Sequence, residues 1–355
     1  MLDTTYRVHI LPGALDAVGG VARVAVRAHR YAIVTDSNVG PLYGERVREA
    51  LSGQAADLFT IPAGERHKTR ETWAAVTDRM LDAGFGRDCA VIALGGGVVG
   101  DLAGFVAATF MRGVPVIHVP TSLLAMLDAS IGGKTAVDTP AGKNLVGAFH
   151  QPAAVITDPG VLATLPVEQY RAGITEALKH GVIAEAAHFD AVAATAAGID
   201  RHRPDARAIS AIIARSVEIK SAVAYGDYRE SGRRKTLNFG HTIGHAIEHL
   251  SGYALLHGEA VAIGMCVEAE IAERVGVARA GTADRIRAAC AAAGLPDRRP
   301  MDLAAEAIVA ATHGDKKGRA GRAEYALPAA IGGMAFGDRG WAAPVDDAVV
   351  LAALA

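Results

Sequence analysis

The chain has 355 residues, room for two domains at roughly 150 residues each. With 51% hydrophobic, 21% charged and 5% aromatic residues, its composition is globular, rich in Ala and Gly, and sufficient for a real core. Its 36 basic and 38 acidic residues leave a net charge of −2, which excludes a long-range field recruiting nucleic acid or an anionic membrane.

Residues 1–10 alternate like a strand, carry Asp3 and lack the basic-then-apolar layout of a signal peptide. Tyr31–Thr35 reads as a buried strand ending at Asp36-Ser37-Asn38. A helix is expected over 41–51 with Pro41 near its start, a strand over Leu58–Ile61, and a helix over Thr69–Ala83. Cys89–Leu94 is a central strand running into three glycines, and Val114–Val119 is another, ending at Pro120-Thr121. Strands alternating with helices predict a mostly parallel, Rossmann-like sheet, with ligands beyond the carboxyl ends of its strands. The polar clusters at 36–38, 95–101 and 120–122 fall at those ends.

After about Pro166 the pattern becomes helical: 167–198, 205–224, 241–250, 258–275 and 281–293 are Ala-rich, and strand-like runs are scarce. The expectation is an N-terminal α/β domain, 1–165, and a C-terminal all-helical domain, 166–355, with the boundary inside the Pro-punctuated stretch 152–166. Cys89, Cys266 and Cys290 are odd in number, far apart and without a C-x-x-C pair. They read as small buried hydrophobes in a reducing compartment. No run of about 18 apolar residues predicts a membrane span, and cytoplasm is the expected compartment.

Four motifs carry chemistry. Gly95-Gly96-Gly97-Val98-Val99-Gly100-Asp101 follows a strand and opens a helix, a place where backbone and helix amides meet a pyrophosphate. It lacks the G-x-G-x-x-G spacing, so a tight strand-to-helix turn is the competing reading. Asp36 and Asn38 suit ribose hydroxyls or an ordinary turn. Arg112, Lys134, Lys143 and Asn144, with Asp128 among them, lie in Gly-rich sequence suited to oxyanions.

The third motif is the set His241, His245, His257 and Glu176. Two imidazoles and a carboxylate make a three-ligand zinc site with an open position. His241 and His245 stand four apart on one helix face, so local spacing favours them as the ligand pair; satisfied core histidines are the alternative. The fourth is a set of single polar residues: Lys179, Lys220, Arg234, Asn238, Lys316 and Lys317. Arg234 and Asn238, four apart, are expected on one helical face.

Taken together, from about Tyr31 to Gly333, these segments resemble the 3-dehydroquinate synthases, within the wider group of sugar-phosphate cyclases. The resemblance is carried by Pro62 through Lys68, Gly95 through Asp101, Gly104 through Ala107, Arg112-Gly113, Pro120 through Ala125, and Asp128 through Lys134. It continues with Gly142-Lys143-Asn144, Glu176 with Lys179, Leu237 through Glu248, His257-Gly258-Glu259 and Asp315-Lys316-Lys317. Small departures from the usual pattern, at Met126, Ala129, Asp138 and His180, replace no residue with an implied role.

The resemblance implies one divalent ion per chain, zinc or cobalt, held by Glu176, His241 and His257, which overrides the spacing preference and turns His245 toward substrate. It implies NAD against Asp36, Asn38, Glu65, Lys68, Gly96, Gly97, Val98, Asp101, Thr121, Ser122, Lys134, Lys143 and Thr164. It implies substrate against Arg112, Asp128, Lys134, Asn144, Lys179, Lys220, Arg234, Asn238, His245 and one of Lys316 and Lys317. The implied substrate is a heptulosonate phosphate and the implied assembly a homodimer. The implied chemistry is transient oxidation, phosphate elimination, reduction and internal aldol closure, in which NAD is regenerated. The neighbouring readings are sister cyclases making amino-dehydroquinate, valiolone-type or deoxyinosose-type products, and a metal-dependent polyol dehydrogenase of the same architecture.

Overall fold

The computed structural model describes residues 6–199, 205–227, 230–313 and 323–355. The chain divides into two compact units, Met1–Leu165 and Pro166–Ala355.

In the first unit the order is β1 (Arg7–Ile10), α1 (Val18–Ala25), β2 (Arg30–Asp36), α2 (Glu45–Ala50), β3 (Ala55–Ile61) and α3 (Arg70–Asp82). It continues through β4 (Cys89–Gly95), α4 (Gly97–Thr109), β5 (Val116–Pro120), β6 (Lys134–Thr139), β7 (Gly142–Phe149) and β8 (Ala154–Thr157). A six-stranded sheet has the order β1-β8-β5-β4-β2-β3, and its pairings are parallel. All of β4 and β5 and most of β2 are buried. That is why these segments read as continuous apolar runs and not as alternation.

The winding reverses between β2 and β4, since β3 lies outside β2 while β5 lies on the far side of β4. Ligand crevices form at the carboxyl ends of strands flanking such a switch point. Thr35 is in register with Leu94, so Asp36 and Gly95 follow as neighbours at that edge.

In this unit two segments differ from the sequence expectation. Residues 134–149, expected as Gly-rich loops, form the antiparallel hairpin β6–β7. The Pro-punctuated stretch 152–166, expected to hold the domain boundary, also contains β8, buried and paired in parallel with both β1 and β5. Pro152 precedes that strand, where its missing N–H breaks no ladder.

The second unit contains α5 (Val167–Ala184), α6 (Ala186–Ala196), α7 (Ala206–Ala224), α8 (His241–Leu250), α9 (His257–Arg274), α10 (Thr282–Ala292), α11 (Ala305–His313) and α12 (Asp347–Leu354). The expected helix 167–198 is broken at Glu185, whose extended backbone (φ −157°, ψ 107°) ends α5 and starts α6. Short strands β9 (Glu324–Tyr325), β10 (Pro328–Ala330), β11 (Gly333–Met334) and β12 (Ala343–Pro344) pair as two small ladders, so this unit is mainly and not purely helical. Its core gathers apolar faces of α8, α9, α11 and α12, including Ile243, Ile247, Ile263, Ile271, Ile308 and Val350. All three cysteines are buried and free. No helix among the described residues is long and apolar enough to cross a membrane.

Candidate active site

In the second unit, donor atoms of Glu176, His241 and His257 all lie within 4.8 Å of one another. Glu176 is 1% exposed, and its Oε1 lies 3.6 Å from His241 Nε2 and 3.8 Å from His257 Nε2. Three donors around one ion, with bonds near 2.0–2.2 Å, stand about 3.4 Å apart. The donor set, the spacing and a buried carboxylate oxygen that accepts no hydrogen bond from the described residues together fit a divalent cation.

Close helix packing produces this convergence. A Cβ on Gly258 would lie 2.1 Å from the Ala172 carbonyl oxygen, so only glycine lets the start of α9 rest on α5. His257 precedes that contact, and Glu176 lies one helical turn after Ala172. The rings of His241 and His245 are 5.2 Å apart between centroids, and that of His245 is 5.9 Å from His257. Helical spacing makes His241 and His245 neighbours, but α5 and α9 bring the carboxylate and the other imidazole to His241.

Each of these three residues has a supporting partner. His241 Nδ1 is 3.1 Å from the Phe239 carbonyl, which directs Nε2 toward Glu176. His257 Nδ1 faces Glu248 Oε2 at 3.4 Å, the arrangement in which a carboxylate orients a metal-binding imidazole. His245, Glu248 and His257 accordingly form a second close grouping sharing His257. Lys179 Nζ ion-pairs with Glu176 Oε2, and both side chains are buried.

The remaining cations here are also withdrawn from solvent: Lys220 on α7 is 7% exposed and Arg234 is 2% exposed. Arg234 and Asn238 lie on the 3₁₀ segment Arg233–Asn238, not on an α-helix. At three residues per turn, residues four apart point about 120° from each other, so the expected shared face is not formed. Asp227 holds the preceding loop by accepting from the backbone N–H groups of Ser231, Gly232 and Arg234, each at 2.8 Å. Burial would raise the Asp227 pKa, but these amides hold it below the usual carboxylate value. Asn238 Nδ2 donates to Glu230 Oε1 at 2.6 Å. Lys316 and Lys317 lie outside the described residues.

In the first unit, Asp36 Oδ1 accepts from the N–H groups of Asn38 and Val39 at 2.8 and 2.9 Å, so the strand-end turn is real. Gly95 passes into α4 through Gly96 and Gly97. A Cβ on Gly95 would meet the Val99 side chain at 2.6 Å, and one on Gly96 would lie 3.3 Å from Ser122 Oγ. The Thr121 N–H donates to the Gly95 carbonyl at 3.0 Å, and Ser122 Oγ accepts from Ala125 N at 3.3 Å. Thus Gly96, Gly97, Thr121 and Ser122 line one edge, with Val98 and Asp101 in the first turns of α4. Thr164 bonds the Tyr43 hydroxyl at 2.8 Å.

A charge cluster stands beside this turn. Lys68, 3% exposed, donates to Asp101 Oδ2 at 2.9 Å and lies 3.4 Å from Glu65 and 3.8 Å from Asp138. Lys143 reaches Glu65 at 3.5 Å. Burial alone would lower the Lys68 pKa; the carboxylates of Asp101, Glu65 and Asp138 reverse this and raise it above the ordinary lysine value. Asp138 also accepts from the Asn144 N–H at 2.9 Å, holding Asn144 at φ 54°. Met111 (φ 51°) and Arg112 (φ 69°) are also left-handed, and such strain concentrates at working sites. Lys134 opens β6 and is exposed, while Asp128 lies in the short helical turn Ala125–Ala129, its carbonyl accepting from Ile131 N at 2.9 Å.

The sequence reading missed Glu248, Asp227, Glu230 and Asp138. Glu248 had a signal, since it follows His245 by three on α8; the others are recognised only through their partners.

Comparison with known proteins shows the family. The family model described as 3-dehydroquinate synthase N-terminal matches residues 58–172, and that described as 3-dehydroquinate synthase C-terminal matches 173–318. A 3-dehydroquinate synthase from Synechococcus sp. is 45% identical over 343 residues, covering 95% of this chain and 93% of that protein. Among solved structures, a 2-deoxy-scyllo-inosose synthase complexed with carbaglucose-6-phosphate, NAD+ and Co2+ is similar with a TM-score of 0.91 at 26% identity, over 99% of this chain and 97% of that one. A 2-epi-5-epi-valiolone synthase from Streptomyces hygroscopicus subsp. jinggangensis, with NAD+ and Zn2+ bound, is similar with a TM-score of 0.89 at 31% identity, over 100% of this chain and 97% of that one. With the two family models together spanning residues 58–318 and a relative 45% identical over 95% of its length, the chain belongs to the 3-dehydroquinate synthase family.

Proposed function

We propose that this chain is a carbon–oxygen lyase that converts 3-deoxy-D-arabino-heptulosonate 7-phosphate to 3-dehydroquinate and phosphate, a step of the shikimate pathway. The observation that carries the reading is the convergence of Glu176, His241 and His257 in a chain of this family. Bound NAD supplies a hydride acceptor that the same turnover restores, and a divalent ion, zinc or cobalt, at those three residues supplies Lewis acidity at the hydroxyl to be oxidised.

The chain's own residues bind and orient. The first unit, residues 1–165, takes the NAD role: the amides at Gly96–Val98 meet the pyrophosphate, Asp36 and Asn38 the ribose, and Lys68 is fixed by Asp101 and Glu65. The second unit, 166–355, takes the metal role. Arg112, Lys134, Lys220 and Arg234 match the phosphate and carboxylate of the substrate. Asp128, Asn144, Lys179, Asn238 and His245 are the remaining substrate groups, with His245 and Asn144 holding the departing phosphate while it takes up the proton. Ring opening and closure need containment more than further acid or base. The chain works as a homodimer in the cytoplasm.

Purified, metal-loaded protein given the heptulosonate phosphate tests this. Phosphate and ring product are expected in equal amounts, with no accumulation of NADH absorbance. NADH building up without phosphate release places the chain with the polyol dehydrogenases, and turnover only of an aminated or heptulose phosphate places it with the sister cyclases.

A further inference from the structure

Helix α8 begins with His241 yet has no capping side chain of its own. Its N-cap is Gly240, at φ 80°. The first amides of a helix need acceptors, and a Ser or Asp at the N-cap is the usual source. Neither fits here: a Cβ at residue 240 would lie 2.5 Å from Met265 Cγ and 3.0 Å from the Val261 carbonyl oxygen. A Cβ on Gly264 would lie 1.9 Å from the Gly240 carbonyl oxygen, so α8 and α9 cross here at backbone contact. The cap has to come from α9.

It comes from Glu268, four residues after Gly264 and on the same face of α9. Its carboxylate is fully buried and spends both oxygens on the first turn of α8. Oε2 accepts from Gly240 N at 2.7 Å and Oε1 from Ile243 N at 3.1 Å. A negative charge at a helix N-terminus meets the positive end of the dipole. The backbone it clamps, 240–243, carries His241, and the Phe239 carbonyl next to it sets that ring's hydrogen bond.

We propose that Glu268 is a positioning residue for the metal centre: it fixes the turn bearing His241 onto the helix that bears His257. The inference rests on the reading of Glu176, His241 and His257 as ligands.

The test is a cobalt(II) titration of metal-stripped full-length protein, followed by visible absorption, beside the melting temperature of the metal-free form. The variants are Glu268→Ala, Glu268→Gln and, as a control, Glu273→Gln. Glu273 also lies on α9 and caps a helix, accepting from Ala283 N at 2.8 Å, but α10 bears no ligand. Expected are an affinity loss of about tenfold for Glu268→Gln and about 100-fold for Glu268→Ala, each with an altered spectrum. Glu273→Gln is expected to lower the melting temperature while affinity stays within about twofold.

Glu268 variants that bind cobalt as the parent does, with the parent spectrum, overturn the inference and leave the ligand assignment standing. So does a Glu273→Gln variant that loses as much affinity as Glu268→Gln. If Glu268→Ala does not fold, the glutamine variant decides. A parent protein that binds no cobalt overturns both the inference and the ligand assignment.

Discussion

Lys179 stands one turn after Glu176 on α5 and ion-pairs with its Oε2, while Oε1 of the same carboxylate faces His241 and His257 at 3.6 and 3.8 Å. One buried carboxylate therefore serves two positive partners, a fixed ammonium and the place where a cation fits. The ammonium holds the carboxylate in one rotamer, as an oriented metal ligand requires.

Replacing Lys179 by alanine removes one partner of a buried pair. Such changes destabilise by about 3–5 kcal/mol. The melting temperature of metal-free Lys179→Ala is expected to fall well below the parent's, and added zinc is expected to recover part of the loss. Equal melting temperatures for the two metal-free proteins would show that the pair contributes nothing in solution.

Chelation of the metal is expected to abolish phosphate release and lower stability. An ion present at about 100 times its Kd stabilises the native state by about 2.7 kcal/mol, several degrees in a domain of this size. His241→Ala and His257→Ala are each expected to show no such zinc-dependent rise. Differential scanning calorimetry with and without zinc reads both effects.

Lys68→Met leaves Glu65, Asp101 and Asp138 facing one another without the ammonium that now lies within 3.8 Å of each. Weaker NAD binding, by tenfold or more, is expected from the loss of order at Asp101 and Glu65, with destabilisation of about 3 kcal/mol. Isothermal calorimetry with NAD checks the first and thermal melting the second. Unchanged NAD affinity in a folded Lys68→Met protein would remove the cluster from the nucleotide site.

Stability is expected to fall as pH drops from about 6.5 to 4. Burial, then the nearby His150, lowers the His118 pKa to about 4; burial, then His180, lowers that of His188 to about 4. Between the unfolded value of about 6.5 and these native values the unfolded chain binds more protons, so each proton taken up favours unfolding. The contribution is complete above pH 6.5 and is lost on the way down, at most about 3 kcal/mol per histidine. Denaturant melts across this range, with His118→Gln flattening the profile, measure it.

Much of this was legible from local pattern. Buried runs such as Cys89–Leu94 announced parallel strands, three glycines after one of them announced a close turn, and 241–250 was bounded as a helix with His241 and His245 on one face. The failures share a cause. Residues 134–149 carry turn glycines and charges, so their pairing as a hairpin was hidden, and β8 was obscured by the prolines around it. Asp138 looked like a neutral departure, yet it lies beside Lys68 and fixes Asn144. Glu268 sits 27 residues from His241 with no local mark of its role.

By itself, the sequence determined the alternation that builds a parallel sheet, the helical character of the second half, and the inventory of ligands, cations and glycines. The family resemblance named His241 and His257 as the imidazoles that share Glu176; only the tertiary structure shows what brings them together. The reason is geometric: two histidines four apart are equivalent by helical spacing. The backbone approaches at Gly258–Ala172 and Gly240–Gly264 make them unequal, and they join residues far apart in the chain.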